Sequence, residues 1–379
     1  RHRGPKVVRR PRACRRSSAA PMAAPTLRAL LARRGGAPLV LDGGMGTGLG
    51  RLGLTERQCW TAGYRTEEAE IRRAVAEVHL GFLRAGADVV TANTYNVSKA
   101  RLQDSRLFGL PPEEAAAREA QCIRANVELA RAAIAQHARE TGVPFEGVLA
   151  ASLGCFGTSI PGRGETANRV HADEQQAVRV PGYGVSQEAL HEFHRSRALA
   201  AIGAGVRVLA FETIPDLPEA RAIAALLPQL SAVRPDLEAL VMFTCRDGER
   251  VDNGDRFEEC CAALSRCDAA VALGVNCTEP RLVPALLAAA RRAAPSKLLI
   301  AKPNSGEVYD MREPDAATLP PGERGDVIEG WKPGPDSLTA HAFGAMARRW
   351  HKECGAALVG GCCRIGHAET AAVVAACAD

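Results

Sequence analysis

Three cysteines stand out because each follows a short apolar segment that is typical of a buried strand. Cys277 follows the sixth such segment along the chain, and the adjacent pair Cys362-Cys363 follows the eighth, after a Gly-Gly turn. Thiolate sulfur is a soft ligand that suits zinc better than magnesium or calcium. Three protein ligands with one open position are typical of a catalytic zinc site, whereas structural sites are closed by four. The pattern therefore predicts a catalytic Zn²⁺ site.

Most of the other cysteines are expected to be small packing residues. The chain has 13 cysteines, which is a high and odd number. Disulfide frameworks occur mainly in small secreted chains, and this chain is long, which indicates a reducing compartment. A second adjacent pair, Cys260-Cys261, lies in a helical pattern and is interpreted as core. Zinc storage or thiol redox chemistry is an alternative function, but redox work favours a Cys-x-x-Cys motif, and the candidate site has none.

The segments that must position these thiols alternate regularly between strand and helix patterns. Eight apolar runs are continuous, as expected for parallel strands buried on both faces. Eight βα units in series predict a single closed (β/α)₈ TIM-type barrel, with an open doubly wound sheet as the alternative. The predicted strands are 38–42, 87–91, 148–152, 206–211, 239–243, 270–275, 297–301 and 356–359.

Helical patterns and two long loops separate the predicted strands. Thr66 and Ser186 are the predicted N-caps of the first and third of these helices. The long loops follow strands three and seven, at 155–185 and 303–338, and would lie on the rim where barrel enzymes keep their active sites. The predicted helices are 67–85, 112–136, 186–204 and 217–227.

Polar side chains follow several predicted strands, and the carboxyl ends of parallel strands meet at one rim. Asp42 follows strand one, Thr94 strand two, Glu212 strand four, and Lys302 and Asn304 strand seven. Each acid could instead cap the next helix. Lys302 leaves open a Schiff-base aldolase, but that class of enzyme leaves the three cysteines unexplained.

Charge and hydropathy exclude two classes of partner. Eight of the 48 Lys and Arg residues lie in residues 1–21, which contain no acid, so the remaining 40 face 43 acidic residues. The body is therefore not a basic nucleic-acid platform. No apolar run is long enough to cross a membrane. Residues 1–21 are interpreted as upstream sequence or a transit peptide, residues 22–379 as one catalytic domain, and the location as cytoplasmic, with organelle targeting as the alternative.

The order and spacing of several motifs resemble the homocysteine S-methyltransferase family over roughly residues 28–375. The resemblance implies a zinc-dependent (β/α)₈ enzyme whose metal ligands fall on Cys277, Cys362 and Cys363. It also implies that Asp42 and Glu212 hold the amino group of homocysteine. From their positions after the strands, Asn304 and Thr94 are further candidates for substrate contact, with a turn cap as the alternative for Asn304 and packing as the alternative for Thr94. The motifs are LDGGMGTGL (41–49), TANTYNVS (91–98), FETIPDLPEA (211–220), GVNC (274–277), PNSGEVYD (303–310) and GGCCR (360–364).

The members of that family differ in methyl donor, and this chain is most similar to the small enzymes that use a sulfonium compound. The expected reaction transfers a methyl group from S-methylmethionine or S-adenosylmethionine to a zinc-bound homocysteine thiolate, forming methionine. Betaine is a less favoured donor, since a quaternary ammonium favours an aromatic cage and only 4% of residues are aromatic. Selenocysteine is an alternative acceptor, and the short segment after Cys363 favours a monomer.

Overall fold

The computed structural model of the protein describes residues 26–160, 183–309 and 331–378. The predicted basic extension 1–21 and the central parts of both predicted long loops lie outside these residues. Eight parallel strands form one sheet, and they are β1 Leu39–Val40, β2 Val89–Ala92, β3 Val148–Gly154, β4 Val208–Ile214, β5 Glu238–Phe243, β6 Ala270–Asn276, β7 Leu298–Lys302 and β10 Ala356–Val359. Their order in the sheet is β1-β10-β7-β6-β5-β4-β3-β2.

The sheet closes on itself and forms a barrel. β1 pairs with β10 through Leu39 and Val40, and a parallel bridge from Leu41 to Val89 joins β1 to β2. This closure confirms the (β/α)₈ prediction and excludes the open doubly wound sheet. The loop predicted after β7 also contains a short antiparallel pair that the sequence did not predict, formed by β8 Val308–Tyr309 and β9 Trp331–Lys332.

Helices connect the strands and pack on the outside of the barrel. They are α1 Leu27–Arg33, α2 Met45–Arg51, α3 Glu56–Thr61, α4 Ala69–Arg84, α5 Lys99–Gln103, α6 Pro112–Thr141, α7 Gln187–Gly203, α8 Leu217–Val233, α9 Phe257–Leu264, α10 Val283–Ala293, α11 Ala340–Lys352 and α12 His367–Cys377. Ser186 caps α7 as predicted, because its side chain accepts a hydrogen bond from Ala189 N.

Two predicted helix bounds are wrong for identifiable reasons. Thr66 does not cap α4, because Glu68 N bonds to Arg65 O and closes a turn there, and the helix begins only after Glu68. α8 does not end before Pro228 but continues through it to Val233. Proline lacks the N–H that would bond to a carbonyl of the preceding turn, but Pro228 is exposed, so that carbonyl can face water. Leu230, two residues further on, is buried and packs this part of the helix onto the core.

Alternate strand residues fill the inside of the barrel, and α1 closes its amino-terminal end. Small and branched residues dominate the interior cluster, which Leu27 and Leu30 of α1 complete. The amino end of α1 is held by Glu238 at the start of β5, whose carboxylate accepts hydrogen bonds from Leu27 N at 3.0 and 3.1 Å. The barrel is thus packed at its base and offers its polar strand ends at the opposite rim. No helix in the described part of the chain is both long and apolar enough to cross a membrane.

Candidate metal and substrate site

The three predicted cysteines converge at the carboxyl ends of β6 and β10. Cys277 Sγ lies 3.2 Å from Cys362 Sγ and 3.3 Å from Cys363 Sγ, and all three sulfurs lie within 4.8 Å of one another. Cys277 is buried, and the other two are half-buried. Sulfur ligands of a tetrahedral zinc ion are about 3.8 Å apart. A small outward movement of the sulfurs would therefore let them share one ion, so this group could hold a metal.

The backbone positions the sulfurs by a route that differs from the predicted Gly-Gly turn. The left-handed residues are Cys277 at φ 53° and Arg364 at φ 67°, not Gly360 or Gly361. The glycines serve close packing instead: a Cβ on Gly360 would lie 2.7 Å from the Cβ of Leu41, and one on Gly361 only 2.4 Å from the side chain of Ile365. A left-handed cysteine is strained, and such strain concentrates at functional sites.

The pKa values of two thiols of the cluster are shifted in opposite directions. Hydrogen bonds from the Cys277 and Cys363 thiols, helped by the positive charge of Lys302, hold the pKa of Cys362 well below its usual range despite burial. The same hydrogen bonds, together with burial, raise the pKa of Cys363. Cys362 is therefore the thiol that these contacts help to ionise, whereas Cys363 resists ionisation. Three thiolates would require a positive ion between them, and the soft donor set fits zinc.

Asn276 is a neighbour of the cluster that the sequence analysis did not select. Its Nδ2 lies 3.7 Å from Cys362 Sγ and donates to Thr213 Oγ1 at 2.9 Å, while its Oδ1 accepts from Thr213 N at 2.7 Å. Thr213 itself has a φ of 62°. The amide thus joins β4 to the sulfur of Cys362. An asparagine at a strand end is too common for sequence alone to assign this contact.

A buried group of opposite charges lies at the same rim. Lys302 Nζ lies 2.6 Å from Glu212 Oε1 and 3.6 Å from Asp42 Oδ1, and all three side chains are at most 7% exposed. The structure therefore brings together the two predicted acids, and it adds a lysine between them. Lys302 and Cys362 also interact electrostatically, which links this charged group to the thiols.

The two acids differ in how their oxygens are used. Asp42 Oδ2 accepts from Thr91 N at 2.6 Å and from Thr91 Oγ1 at 2.8 Å, but Asp42 Oδ1 is buried with no hydrogen-bond partner among the described residues. Glu212 accepts from Lys302 with one oxygen and from Ser152 Oγ at 2.6 Å with the other. Burial raises the pKa of Asp42 to about 6 against the lowering effect of Lys302, so Asp42 is largely ionised at neutral pH.

The environment of Lys302 disfavours Schiff-base chemistry. Burial alone would lower its pKa, but the carboxylates of Glu212 and Asp42 outweigh burial and raise the pKa above the usual value. A Schiff-base lysine needs a neutral amine and hence a lowered pKa. Lys302 is instead a permanent cation, and its charge is balanced by its neighbours.

The remaining two predicted substrate-binding residues are buried and engaged with the backbone. Thr94 Oγ1 donates to the Ser152 carbonyl at 2.6 Å, so its hydroxyl hydrogen is committed to β3. Asn304 Oδ1 accepts from Cys363 N at 3.2 Å, which ties the loop after β7 to the cysteine pair. These contacts support a structural role for Thr94 and a positioning role for Asn304.

A second buried polar cluster, which the sequence did not predict, anchors the end of β3. Glu219 Oε1 accepts from Phe156 N at 2.6 Å and lies 2.6 Å from His194 Nε2, with both side chains fully buried. Burial raises the pKa of Glu219 to about 8 and lowers that of His194. Both shifts favour the uncharged forms, so we expect a neutral acid beside a neutral imidazole near neutral pH.

We expect Glu219 to make stability fall as pH rises, whereas the lowered pKa of His194 makes stability fall as pH drops below about 6.5. The pKa of Glu219 goes from the ordinary 4.5 to about 8 on folding. The native state therefore holds a proton that the unfolded chain has lost, and its contribution disappears as pH rises from about 4.5 through 8. The variant Glu219→Gln keeps the neutral hydrogen bonds but cannot titrate. The difference between the two free energies of unfolding, variant minus unmodified protein, should therefore be roughly 3 kcal/mol larger at pH 8 than at pH 5. Urea denaturation across this range measures the difference.

A surface acid of the helix that carries His194 provides the control. Glu192→Gln, at an exposed position of α7, should leave the pH dependence unchanged. Parallel curves for Glu219→Gln and the unmodified protein would mean that Glu219 is ionised in the native state.

Comparison with known proteins identifies the family of this chain. The family model for homocysteine S-methyltransferases matches residues 39–377. The chain is 32% identical to homocysteine S-methyltransferase YbgG of Bacillus subtilis over 335 residues, covering 86% of this chain and 90% of that protein. It is 31% identical to a selenocysteine methyltransferase of Astragalus bisulcatus, covering 87% of this chain and 89% of that protein.

A solved structure agrees with these sequence matches. The metallated form of the homocysteine methyltransferase MmuM from Escherichia coli superposes with a TM-score of 0.67 at 28% identity. The match covers 92% of this chain and 99% of that one. By sequence, fold and extent of coverage, this chain belongs to the homocysteine S-methyltransferase family.

Proposed function

We propose that this enzyme transfers a methyl group from S-methylmethionine or S-adenosylmethionine to the thiol of homocysteine, with Zn²⁺ held by Cys277, Cys362 and Cys363. One observation carries the proposal: three sulfurs from two separate strand ends lie within 4.8 Å of one another. At the same rim of the barrel, the buried carboxylate of Asp42 has an oxygen without a hydrogen-bond partner among the described residues. A thiol site next to an amino-group acceptor fits an amino acid that carries a thiol.

The residues and the ion divide the work. Three cysteine ligands leave a fourth position for the acceptor sulfur. A bound Zn²⁺ lowers the pKa of a coordinated thiol, so that the nucleophilic thiolate is present at neutral pH. Asp42 Oδ1 would accept a hydrogen bond from the acceptor's ammonium group. The buried strand ends around Asp42 and Cys277 exclude water from the reacting atoms and hold the acceptor in one orientation.

The transfer itself needs alignment more than acid–base catalysis. The acceptor thiolate attacks the methyl carbon of the sulfonium donor, the new sulfur–carbon bond forms as the donor's bond breaks, and the products are two neutral thioethers. Because an anion and a cation neutralise each other, the transition state carries less charge than the reactants, and a dry site favours it. No proton moves at the methyl carbon, so no general base is required there.

The alternatives to this function are another acceptor, another donor, and a role in zinc storage or thiol redox chemistry. The likeness to a selenocysteine methyltransferase favours selenocysteine as a second acceptor, since selenium and sulfur place similar demands on the site. Zinc storage or thiol redox work would explain the three sulfurs, but neither needs the buried charges of Asp42, Glu212 and Lys302. Betaine stays a third donor to be tested.

A methyl-transfer assay tests the proposal directly. Purified protein should convert homocysteine to methionine with at least one sulfonium donor, and betaine should give no product. A chelator that removes the metal should abolish turnover, and added Zn²⁺ should restore it, because a free thiol is only a few per cent ionised near pH 7. Product is measured by mass spectrometry, and metal content by elemental analysis.

The arms of this assay separate the alternatives. Selenocysteine replaces homocysteine in a parallel series, and preferential turnover of it would favour the second acceptor. Full activity in protein shown to contain no metal, or turnover with betaine alone, would contradict the proposed mechanism. Bound zinc without any methyl transfer would favour storage.

A further inference from the structure

The lysine at the end of β7 occupies the position between the two acids that the family resemblance assigns to an amino group. Both oxygens of Glu212 are already used, one by Lys302 Nζ at 2.6 Å and one by Ser152 Oγ at 2.6 Å. Asp42 Oδ1, in contrast, is buried and lacks a hydrogen-bond partner within the described chain. The two acids are therefore not equivalent: only Asp42 has an oxygen ready for an incoming donor.

Lys302 has capacity left for an anion. An ammonium group has three N–H donors, and among the described residues Nζ makes one hydrogen bond, to Glu212. Asp42 Oδ1, at 3.6 Å, is too far for a second. Lys302 is 3% exposed, so its charge acts in a poorly solvated site where a carboxylate would bind it strongly.

A second cation near the thiols, Arg364, is already paired. Arg364, next to Cys363, donates from Nε to Glu307 at 2.8 Å and from its Nη2 to the same carboxylate at 3.3 Å. An α-amino acid brings an ammonium and a carboxylate, and both need partners when they leave water. Asp42 and Lys302 offer the two opposite charges a few ångströms apart.

We propose, on the basis of the acceptor proposed above, that Lys302 binds the acceptor's α-carboxylate and Asp42 Oδ1 its amino group. Glu212 then positions Lys302 and makes no contact with the acceptor. The site selects thiols that carry a complete amino acid head group. This assignment changes the role that the resemblance implies for Glu212 and gives a binding role to a residue for which the resemblance implies none.

Truncated acceptors test each contact separately. The ligands are homocysteine, 3-aminopropane-1-thiol, which lacks the carboxylate, and 4-sulfanylbutanoate, which lacks the amino group. Dissociation constants are measured by calorimetry on the metal-containing protein. Lys302→Met should weaken homocysteine and 4-sulfanylbutanoate by about tenfold to a hundredfold, the range for hydrogen bonds to charged groups, and should not weaken 3-aminopropane-1-thiol.

The two acids should give opposite patterns. Asp42→Asn should weaken homocysteine and 3-aminopropane-1-thiol and spare 4-sulfanylbutanoate. Glu212→Gln should follow the pattern of Lys302→Met, because it releases the lysine. If Glu212→Gln instead follows Asp42→Asn, Glu212 contacts the amino group and the assignment is overturned. Lys297→Met, at the opposite end of β7, is the matched control and should change none of the three constants.

Stability and the parent proposal are controlled independently. If Lys302→Met fails to fold because it leaves two buried carboxylates uncompensated, the double variant Lys302→Met/Glu212→Gln removes the pair together and should show the same selective loss. An equal loss for all three ligands would overturn the role of Lys302. If the unmodified protein neither binds nor methylates homocysteine, the proposed function fails. If it does both, only the lysine assignment is in question.

Discussion

Replacement of Cys362 by serine is expected to remove both the metal and the activity. Cys362 Sγ lies 3.2 Å from Cys277 Sγ, and the pKa of the Cys362 thiol is held well below its usual range by hydrogen bonds from the neighbouring thiols. A serine hydroxyl does not ionise near neutral pH and is a hard ligand, so it cannot replace a thiolate at zinc. We expect less than about a tenth of the metal to be retained and turnover to fall by at least about a hundredfold. Mutation of a residue that only hydrogen-bonds to a metal ligand already lowers metal affinity or activity by about tenfold to a hundredfold. Elemental analysis and the homocysteine assay measure the two effects.

The chain supplies its own control for this experiment. Cys260 belongs to the other adjacent cysteine pair and is fully buried in α9, where burial raises its pKa far above the usual value. Cys260→Ala should cost about 1 kcal/mol of stability and leave metal and turnover intact. Retention of the full metal content in Cys362→Ser would remove Cys362 from the ligand set.

The sequence predicted the barrel and the meeting of the thiols because both follow from periodicity. Continuous apolar runs separated by helices admit few arrangements, and in a closed parallel barrel all carboxyl strand ends share one rim. Cys277 and the pair after β10 were therefore assigned to one site without any knowledge of distances. The parallel bridge from Leu41 to Val89 joins the first strand to the second and closes the barrel, as predicted.

The charge arrangement at the rim could not be predicted in the same way. Lys302 follows an apolar run, and a lysine at a strand end can extend into solvent or fold inward. Its burial depends on the simultaneous presence of Asp42 and Glu212, which come from strands that are far apart in sequence. The same holds for His194 and Glu219, whose pairing depends on how α7 packs against α8. Such contacts are properties of the packed structure.

The strained cysteine was also outside the reach of pattern analysis. A Gly-Gly pair before two cysteines suggests a flexible turn, but the left-handed residues are Cys277 and Arg364. Gly360 is required by its distance to Leu41, a reason that concerns the neighbouring strand. Glycine in a sequence marks either unusual backbone or close approach, and only coordinates distinguish these causes.

Close approach has its strongest effect at Gly274, and Gly274→Ala is expected to damage both the fold and the site. A Cβ there would lie 2.0 Å from the carbonyl oxygen and 2.7 Å from the carbonyl carbon of Ile300. Both atoms are backbone of β7, which pairs with β6 at this position, so neither can rotate away. The strands must separate, and we expect a loss of about 3 kcal/mol or more in the free energy of unfolding.

The position of this glycine makes the damage specific to the site. Gly274 lies three residues before Cys277, and Ile300 lies two before Lys302, so separating β6 from β7 displaces a thiol and the buried cation together. Urea denaturation and metal content should therefore fall in parallel. Gly203→Ala is the control: no atom lies within 4 Å of its added Cβ, and alanine near the end of α7 should be neutral or stabilising. Unchanged stability and metal content in Gly274→Ala would show that β6 and β7 tolerate separation, and that the thiols do not depend on their close pairing.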